Sequence, residues 1–149
     1  MQKILRSARR FAKINNLFFL LENLQPTENP GTYVFVSIPG SEKAVLEKID
    51  GAGKIMQFME NEGVTFVLKE EIAKSLELSF DGTFKWITIQ VHSSLSAIGL
   101  TAALSQKLTN EKISCNVIAG FYHDHIFVPT KDFDRAMAAL KSISQKNII

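Results

Sequence analysis

His92, His123 and His125 are the chain's three histidines, and they stand at the ends of apolar runs. His123 and His125 are two residues apart, so on a strand both would project from one face. Asp124 between them would alternate to the other face. If all three imidazoles met, they would form a metal site with an open position, an arrangement that supports hydrolysis. Histidines that bond backbone groups at a junction, or touch a ligand directly, fit the same spacing. A second kind of chemistry sits beside them. His92-Ser93-Ser94 leads from a strand-like run into a helix-like one. A strand-to-helix junction over residues 92–97 would expose unpaired backbone N–H groups at the positive end of a helix, where a carboxylate fits. Ser93, Ser94 and Ser96 would add hydroxyls and Asn116 an amide. Asp124 would accept from an α-ammonium or guanidinium group. An amino acid carries such complementary poles. A serine ahead of a helix can equally be a plain cap.

The elements that must position these groups are readable from periodicity. Phe84–Val91 alternates as a strand, with Ile87, Ile89 and Val91 on one side and Trp86, Thr88 and Gln90 on the other. Trp86 should face a second layer or a subunit interface. Ser93 or Ser94 should cap the next helix, with Leu95, Ile98, Ala102 and Leu108 as its buried stripe. Ile113–Ala119 should be a strand with Ile113, Cys115, Val117 and Ala119 on one face, and Gly120 a bend. His125–Val128 should be a strand stopped by Pro129. Thr130 should cap a last helix whose Phe133, Ala136, Met137 and Leu140 fall on one face. Ile148-Ile149 would be a stub of a fourth strand.

Earlier in the chain, Asn16 should cap a helix over Leu17–Leu24, ended by Pro26. Pro30-Gly31 reads as a turn and Tyr33–Ile38 as a strand. Residues 41–50 fit a helix broken by Gly51-Ala52-Gly53. Ile55–Met59 reads as extended, Val64–Leu68 as a strand and Glu70–Leu76 as a short helix. Val64–Leu68 followed by Glu70–Leu76 echoes Ile126–Val128 followed by Lys131–Leu140. The expectation is an α+β fold: two tandem halves of the ferredoxin-like βαββαβ plan sharing antiparallel sheet. A basic extension would occupy residues 1–16, a degenerate first half 17–80 and a second half 81–149.

Composition bounds the function classes. At 149 residues and 46% hydrophobic, the chain can bury a core, which excludes disorder as its main state. No apolar run approaches the ~20 residues of a spanning helix. The single Cys115 excludes an internal disulfide and a multi-cysteine metal site, and its place among apolar neighbours reads as a buried structural thiol. Residues 1–14 hold Lys3, Arg6, Arg9, Arg10 and Lys13 and no acid. Subtracting that +5 from the overall +2 leaves −3 for the rest, a poor surface for nucleic acid. The leader's apolar residues Ile4, Leu5, Ala8, Phe11 and Ala12 share one helical face, which fits a terminal helix docked on the domain, or a frayed leader, more simply than a membrane-surface or transit segment. No P-loop and no GxGxxG stands behind nucleotide binding.

Three segments resemble a known family. They are Val91-His92-Ser93-Ser94-Leu95-Ser96-Ala97-Ile98-Gly99-Leu100-Thr101-Ala102-Ala103, Asn116-Val117-Ile118-Ala119-Gly120-Phe121-Tyr122-His123-Asp124-His125-Ile126-Phe127-Val128-Pro129, and Glu60-Asn61-Glu62-Gly63-Val64-Thr65. In this order they look like the small bacterial proteins built from two ACT-like domains, over roughly residues 17–143. The resemblance implies a ferredoxin-like unit in each half, no catalysis and no cofactor. It implies a small ligand, usually an amino acid, bound where two domains meet. ACT domains usually regulate an attached enzyme, and with none seen in this sequence the chain should act alone or on a partner. A more distant likeness joins it to eukaryotic cytosolic arginine sensors, which carry a Tyr-x-Asp segment entering a strand; Tyr122 and Asp124 match it. The Asp-x-x-Gly type of turn after the first strand in many ACT domains is replaced here by His92-Ser93-Ser94.

The expected function is therefore a non-catalytic, cytoplasmic sensor of a small molecule, an amino acid by resemblance, working as a homodimer without nucleic acid or membrane. Its ligand-binding residues would be His92, Ser93, Ser94, Leu95, Ala97, Ile98, Gly99, Asn116, Val117, Tyr122, His123, Asp124 and His125. The competing readings are a metal-dependent enzyme using His92, His123 and His125, and an interaction protein with no ligand.

Overall fold

A computed structural model describes residues 16–145. Helix α1 (Leu17–Glu22) starts where Asn16 accepts a hydrogen bond from the Phe19 N–H at 3.2 Å, satisfying one donor that the first turn leaves orphaned. Strand β1 (Pro26–Ile38) follows. Then come α2 (Lys43–Ala52), β2 (Met56–Met59), β3 (Val64–Lys69) and α3 (Glu70–Ser75). The second half is β4 (Phe84–Ile89), α4 (Leu100–Asn110), β5 (Asn116–Ala119), β6 (Asp124–Pro129), a single 3-10 turn (Thr130–Asp132) and α5 (Phe133–Gln145).

The six strands of the described residues form one antiparallel sheet in the order β2-β3-β1-β4-β6-β5. The two central strands are shared. The end of β1, Tyr33–Ile38, pairs with β3, while its beginning, Pro26–Asn29, pairs with β4. So β4 completes the first βαββα unit and the start of β1 completes the second.

Alternation along the strands fills two faces. On one face, Val34, Val36, Ile38, Phe66 and Leu68 pack with Ile49 and Ala73 of α2 and α3. Ile87, Ile89, Ile126 and Val128 pack with Leu104 and Leu108 of α4 and Leu140 of α5, and with Leu20 and Leu24. Each of these side chains larger than alanine contributes about 1.5–3 kcal/mol through burial. The other face carries Tyr33, Val67 and Phe127, ringed by Phe35, Met56, Phe84, Trp86 and Ile118. No described helix covers that face, yet Tyr33, Val67 and Phe127 are fully buried. The sheet curls enough that Met56 on one edge strand and Ile118 on the other line the same hollow.

The α+β, ferredoxin-like plan is the one the sequence predicts, with four local corrections. Strand β1 begins at Pro26, not Tyr33, because Pro30-Gly31 forms an irregularity within the strand rather than a turn that ends it. Gly31 takes φ +121° there, with the Tyr33 ring against it and the Tyr33 hydroxyl donating to the Pro30 carbonyl at 2.9 Å. Helix α4 begins at Leu100, so neither Ser93 nor Ser94 caps it; Leu95 and Ile98 lie before it, and its buried stripe is Leu100, Leu104 and Leu108. The fifth strand starts at Asn116 rather than Ile113. Thr130 opens the 3-10 turn and bonds the Thr83 hydroxyl at 3.0 Å instead of capping a helix. The basic leader and the Ile148-Ile149 stub lie outside the described residues.

Candidate functional site

Strand β4 and the hairpin joining β5 to β6 end side by side, because Ile89 and Ala119 both pair with Asp124. The chain leaving β4 passes His92 and makes a tight turn centred on Ser94. The Ser94 hydroxyl accepts from the Ser96 N–H at 3.2 Å and lies 2.7 Å from the Ser96 hydroxyl, while the Ser94 carbonyl accepts from the Ala97 N–H at 2.8 Å. Ser94 is buried. Gly99, at φ +99°, then redirects the chain into α4, a conformation that side-chain-bearing residues rarely adopt. The helix has no side-chain cap, so the N–H groups of its first turn are not satisfied by one.

On the hairpin, the Gly120 N–H donates to the His123 carbonyl at 2.9 Å. This leaves His123 in the turn, before strand alternation begins. Its ring lies against His92, with centroids 4.8 Å apart, and the Tyr122 ring stands edge-on to His92 at 6.4 Å. Nδ1 of His123 is buried and has no protein partner. Asp124, only 7% exposed, points to the helix-covered face. Burial pushes its carboxyl pKa up, against the lowering influence of His125 and His123. Among the described residues no group donates a hydrogen bond to this carboxylate.

His125 goes elsewhere, which corrects the three-histidine expectation. As the second residue of β6 it points to the opposite sheet face, beside Trp86 at 5.4 Å between ring centroids. Trp86 Nε1 donates to His125 Nδ1 at 3.1 Å, the Thr88 hydroxyl lies 3.1 Å from the same nitrogen, and Asn29 Nδ2 donates to that hydroxyl at 2.8 Å. Burial, then the neighbouring His123, lowers the His125 pKa, while Asp124 raises it. Among the described residues, no group of three or more His, Cys, Asp or Glu side chains is arranged to hold a metal ion.

Of the residues singled out in the sequence, His92, Ser93, Ser94, Tyr122, His123 and Asp124 therefore gather at one end of the sheet. Leu95 and Ile98 are exposed on the loop, Ala97 packs against the core, and Gly99 shapes the helix start. Asn116 does not belong there. It pairs with Phe127 at the far end of β5, with its amide directed to the Phe127 carbonyl. Val117 points into the core. Cys115 is half-buried against the same core, and burial raises its thiol pKa. The sequence reading missed the Asn29–Thr88–His125–Trp86 network, although Trp86 and Thr88 on the outward side of a strand were its signal.

Comparison with known proteins agrees with this fold. The ACT domain family matches residues 13–85 and again residues 83–142. No curated protein matches the chain. A Vibrio cholerae protein of unknown function is 41% identical, with a TM-score of 0.76 over 86% of this chain and 95% of that one. An Agrobacterium tumefaciens protein superposes with a TM-score of 0.68 at 18% identity, over 82% of this chain and 90% of the other. The ligand-free regulatory subunit of aspartate kinase from Thermus thermophilus has a TM-score of 0.63 at 12% identity, over 79% of this chain and 95% of that one. These last two show the shared fold. Two matched domains covering nearly all of the described chain, and a near full-length relative at 41% identity, make this chain a member of the ACT-domain family with two ACT domains in tandem.

Proposed function

We propose that this protein is a non-catalytic regulatory module that binds an amino acid at the end of β4 and β6. The observation that carries the reading is the convergence there of His92, Tyr122 and His123 on a turn built around buried Ser94, beside the buried carboxylate of Asp124. Asp124 accepts from the ligand's α-ammonium, which also offsets the burial that raises its pKa. The uncapped first turn of α4 receives the carboxylate. The unpartnered Nδ1 of His123 supplies a further contact. Membership of the ACT family supports a regulatory ligand-binding role, and the regulatory subunits of aspartate kinase share the fold.

The loop exposes Leu95 and Ile98, and the hairpin exposes Phe121 and Tyr122. Exposed apolar side chains on both sides of a polar cluster suit a surface covered by a second copy of the chain. The ligand would then lie between two copies in a homodimer. It acts by stabilising one relative arrangement over another, which requires different affinities for the two.

A thermal-shift screen of the standard amino acids tests this. A ligand at about 100 times its Kd stabilises by about 2.7 kcal/mol, a Tm rise of roughly 5–10 °C for a chain of this size. One amino acid should give that rise, and Asp124→Ala and His123→Ala should each abolish it. A flat response to every amino acid, or a rise that survives both substitutions, overturns the reading.

A further inference from the structure

The concave face of the sheet, away from the amino-acid site, holds a hollow of about 390 Å³ lined by Met56, Trp86, Ile118, Gly120, His125 and Phe127. That volume is within the ~300–1,000 Å³ of small-molecule sites. None of its lining side chains carries a carboxylate, an ammonium or a guanidinium. Trp86 and Phe127 present nearly parallel rings, 19° apart with centroids at 5.8 Å.

One polar group breaks this apolar wall, and its state is fixed by its neighbours. The indole N–H of Trp86 can only donate, so His125 Nδ1, 3.1 Å away, must offer a lone pair. The Thr88 hydroxyl accepts from Asn29 and is therefore free to turn its own proton to the same nitrogen. The ring proton of the neutral imidazole is thus on Nε2. Among the described residues nothing accepts from Nε2. Gly120 keeps that nitrogen clear: a Cβ there would stand 3.1 Å from His125 Nε2 and 2.7 Å from the His123 carbonyl. Nε2 opens to solvent through the hollow rather than being sealed in it, so a ligand that displaces that water must supply an acceptor in its place.

We propose that this hollow is a second ligand site, for an uncharged, flat apolar molecule carrying one hydrogen-bond acceptor, such as an aryl ketone, aldehyde or amide. The ring of Trp86, with Met56 and Ile118, supplies the contact area over the buried ring of Phe127, and His125 Nε2–H donates to the acceptor. A carboxylate is disfavoured, because no cation lines the hollow and His125, accepting at Nδ1 from the Trp86 indole, is held as the neutral imidazole. The site stands on the sheet geometry alone and does not depend on the amino-acid reading.

Three probes of one shape test it: naphthyl methyl ketone, isopropylnaphthalene and naphthoate. Trp86 is the single tryptophan, so its indole N–H gives one assignable NMR signal. The ketone should move that signal and bind about fivefold or more tightly than the hydrocarbon, the worth of one net hydrogen bond. Naphthoate should bind more weakly than the ketone. His125→Phe should erase the difference between ketone and hydrocarbon while keeping the hydrocarbon's affinity. The imidazole nitrogen shifts of the unaltered protein, which need no variant, should show His125 protonated at Nε2. Equal binding of ketone and hydrocarbon, an Nδ1-protonated ring, or no response of Trp86 to any probe overturns the proposal. So does a Trp86 signal that moves only with protein concentration, which would mean that a second copy covers the face.

Discussion

Replacing Asp124 with asparagine should make the empty protein more stable and, at the same time, blind to its ligand. Asp124 is 7% exposed, lies on the helix-covered face and has no hydrogen-bond donor to its carboxylate among the described residues. The two histidines beside it, His123 and His125, offset part of the cost, and burial outweighs them, so its pKa lies above the ordinary 3.8. Between 3.8 and that raised value the folded protein binds more protons than the unfolded chain. Stability therefore falls as pH rises through this window, and at pH 7 the ionised group is a net cost. Asparagine removes the charge but keeps two polar atoms that also want partners. The expected gain at pH 7 is about 1 kcal/mol, or about 2–4 °C in Tm. Urea unfolding at a series of pH values measures it. The advantage should be full near neutrality and should fade as the pH drops towards the ordinary carboxylate range, where the wild-type group is protonated in both states. The same variant should lose the amino-acid-induced rise in Tm. A variant less stable than wild type at pH 7, or an advantage that does not change with pH, would refute the reasoning.

Gly99→Ala should cost about 1 kcal/mol by urea unfolding, the left-handed backbone penalty less the gain from a stiffer unfolded chain, since the new methyl meets only the movable tip of Leu17 at 2.9 Å. Leu104→Ala, at a fully buried position of α4, should cost about 2–5 kcal/mol in the same assay. Asn116→Ala should leave the amino-acid-induced thermal shift intact, because Asn116 lies at the far end of β5 from Asp124; loss of the shift would contradict that separation. A fragment of residues 81–149 should show no cooperative unfolding by circular dichroism, because it lacks the β1 segment that pairs with β4 and the Leu20 and Leu24 side chains that fill its core.

The sequence reading succeeds where one local rule acts alone. Asn16 starts α1 and accepts from Phe19 as a cap should, and Ile87, Ile89 and Val91 reach the core as strict alternation requires. It fails where two local rules compete. Ser94 is a good cap residue, but here it holds a turn through Ser96 and Ala97, and Gly99 alone is suited to the backbone that starts α4. Pro30-Gly31 is a good turn, but a long antiparallel partner on each side absorbs it as a bend within β1. The candidate site was half legible for the same reason. The two-residue spacing of His123 and His125 implies one face only if both lie in the strand, and the Gly120–His123 hydrogen bond keeps His123 out of it.

Sharing of the central strands bears on how a binding event could be felt across the molecule. Residues 26–29 of β1 lie against β4, and residues 33–38 of the same strand lie against β3, so the two helix-covered cores are joined by one continuous backbone. The proposed amino-acid site sits at the end of β4 and β6, and the concave face behind it is tied across the same strands by Asn29, Thr88, His125 and Trp86. Asp124 and His125 are adjacent residues that point to opposite faces, and each opposes the burial-driven shift of the other's pKa. A cation bound by Asp124 cancels the negative charge that favours protonation of His125, and so holds the imidazole more firmly in the neutral form that the Trp86 hydrogen bond requires. The two faces therefore meet at one pair of neighbouring side chains, Asp124 on the helix-covered face and His125 on the concave one.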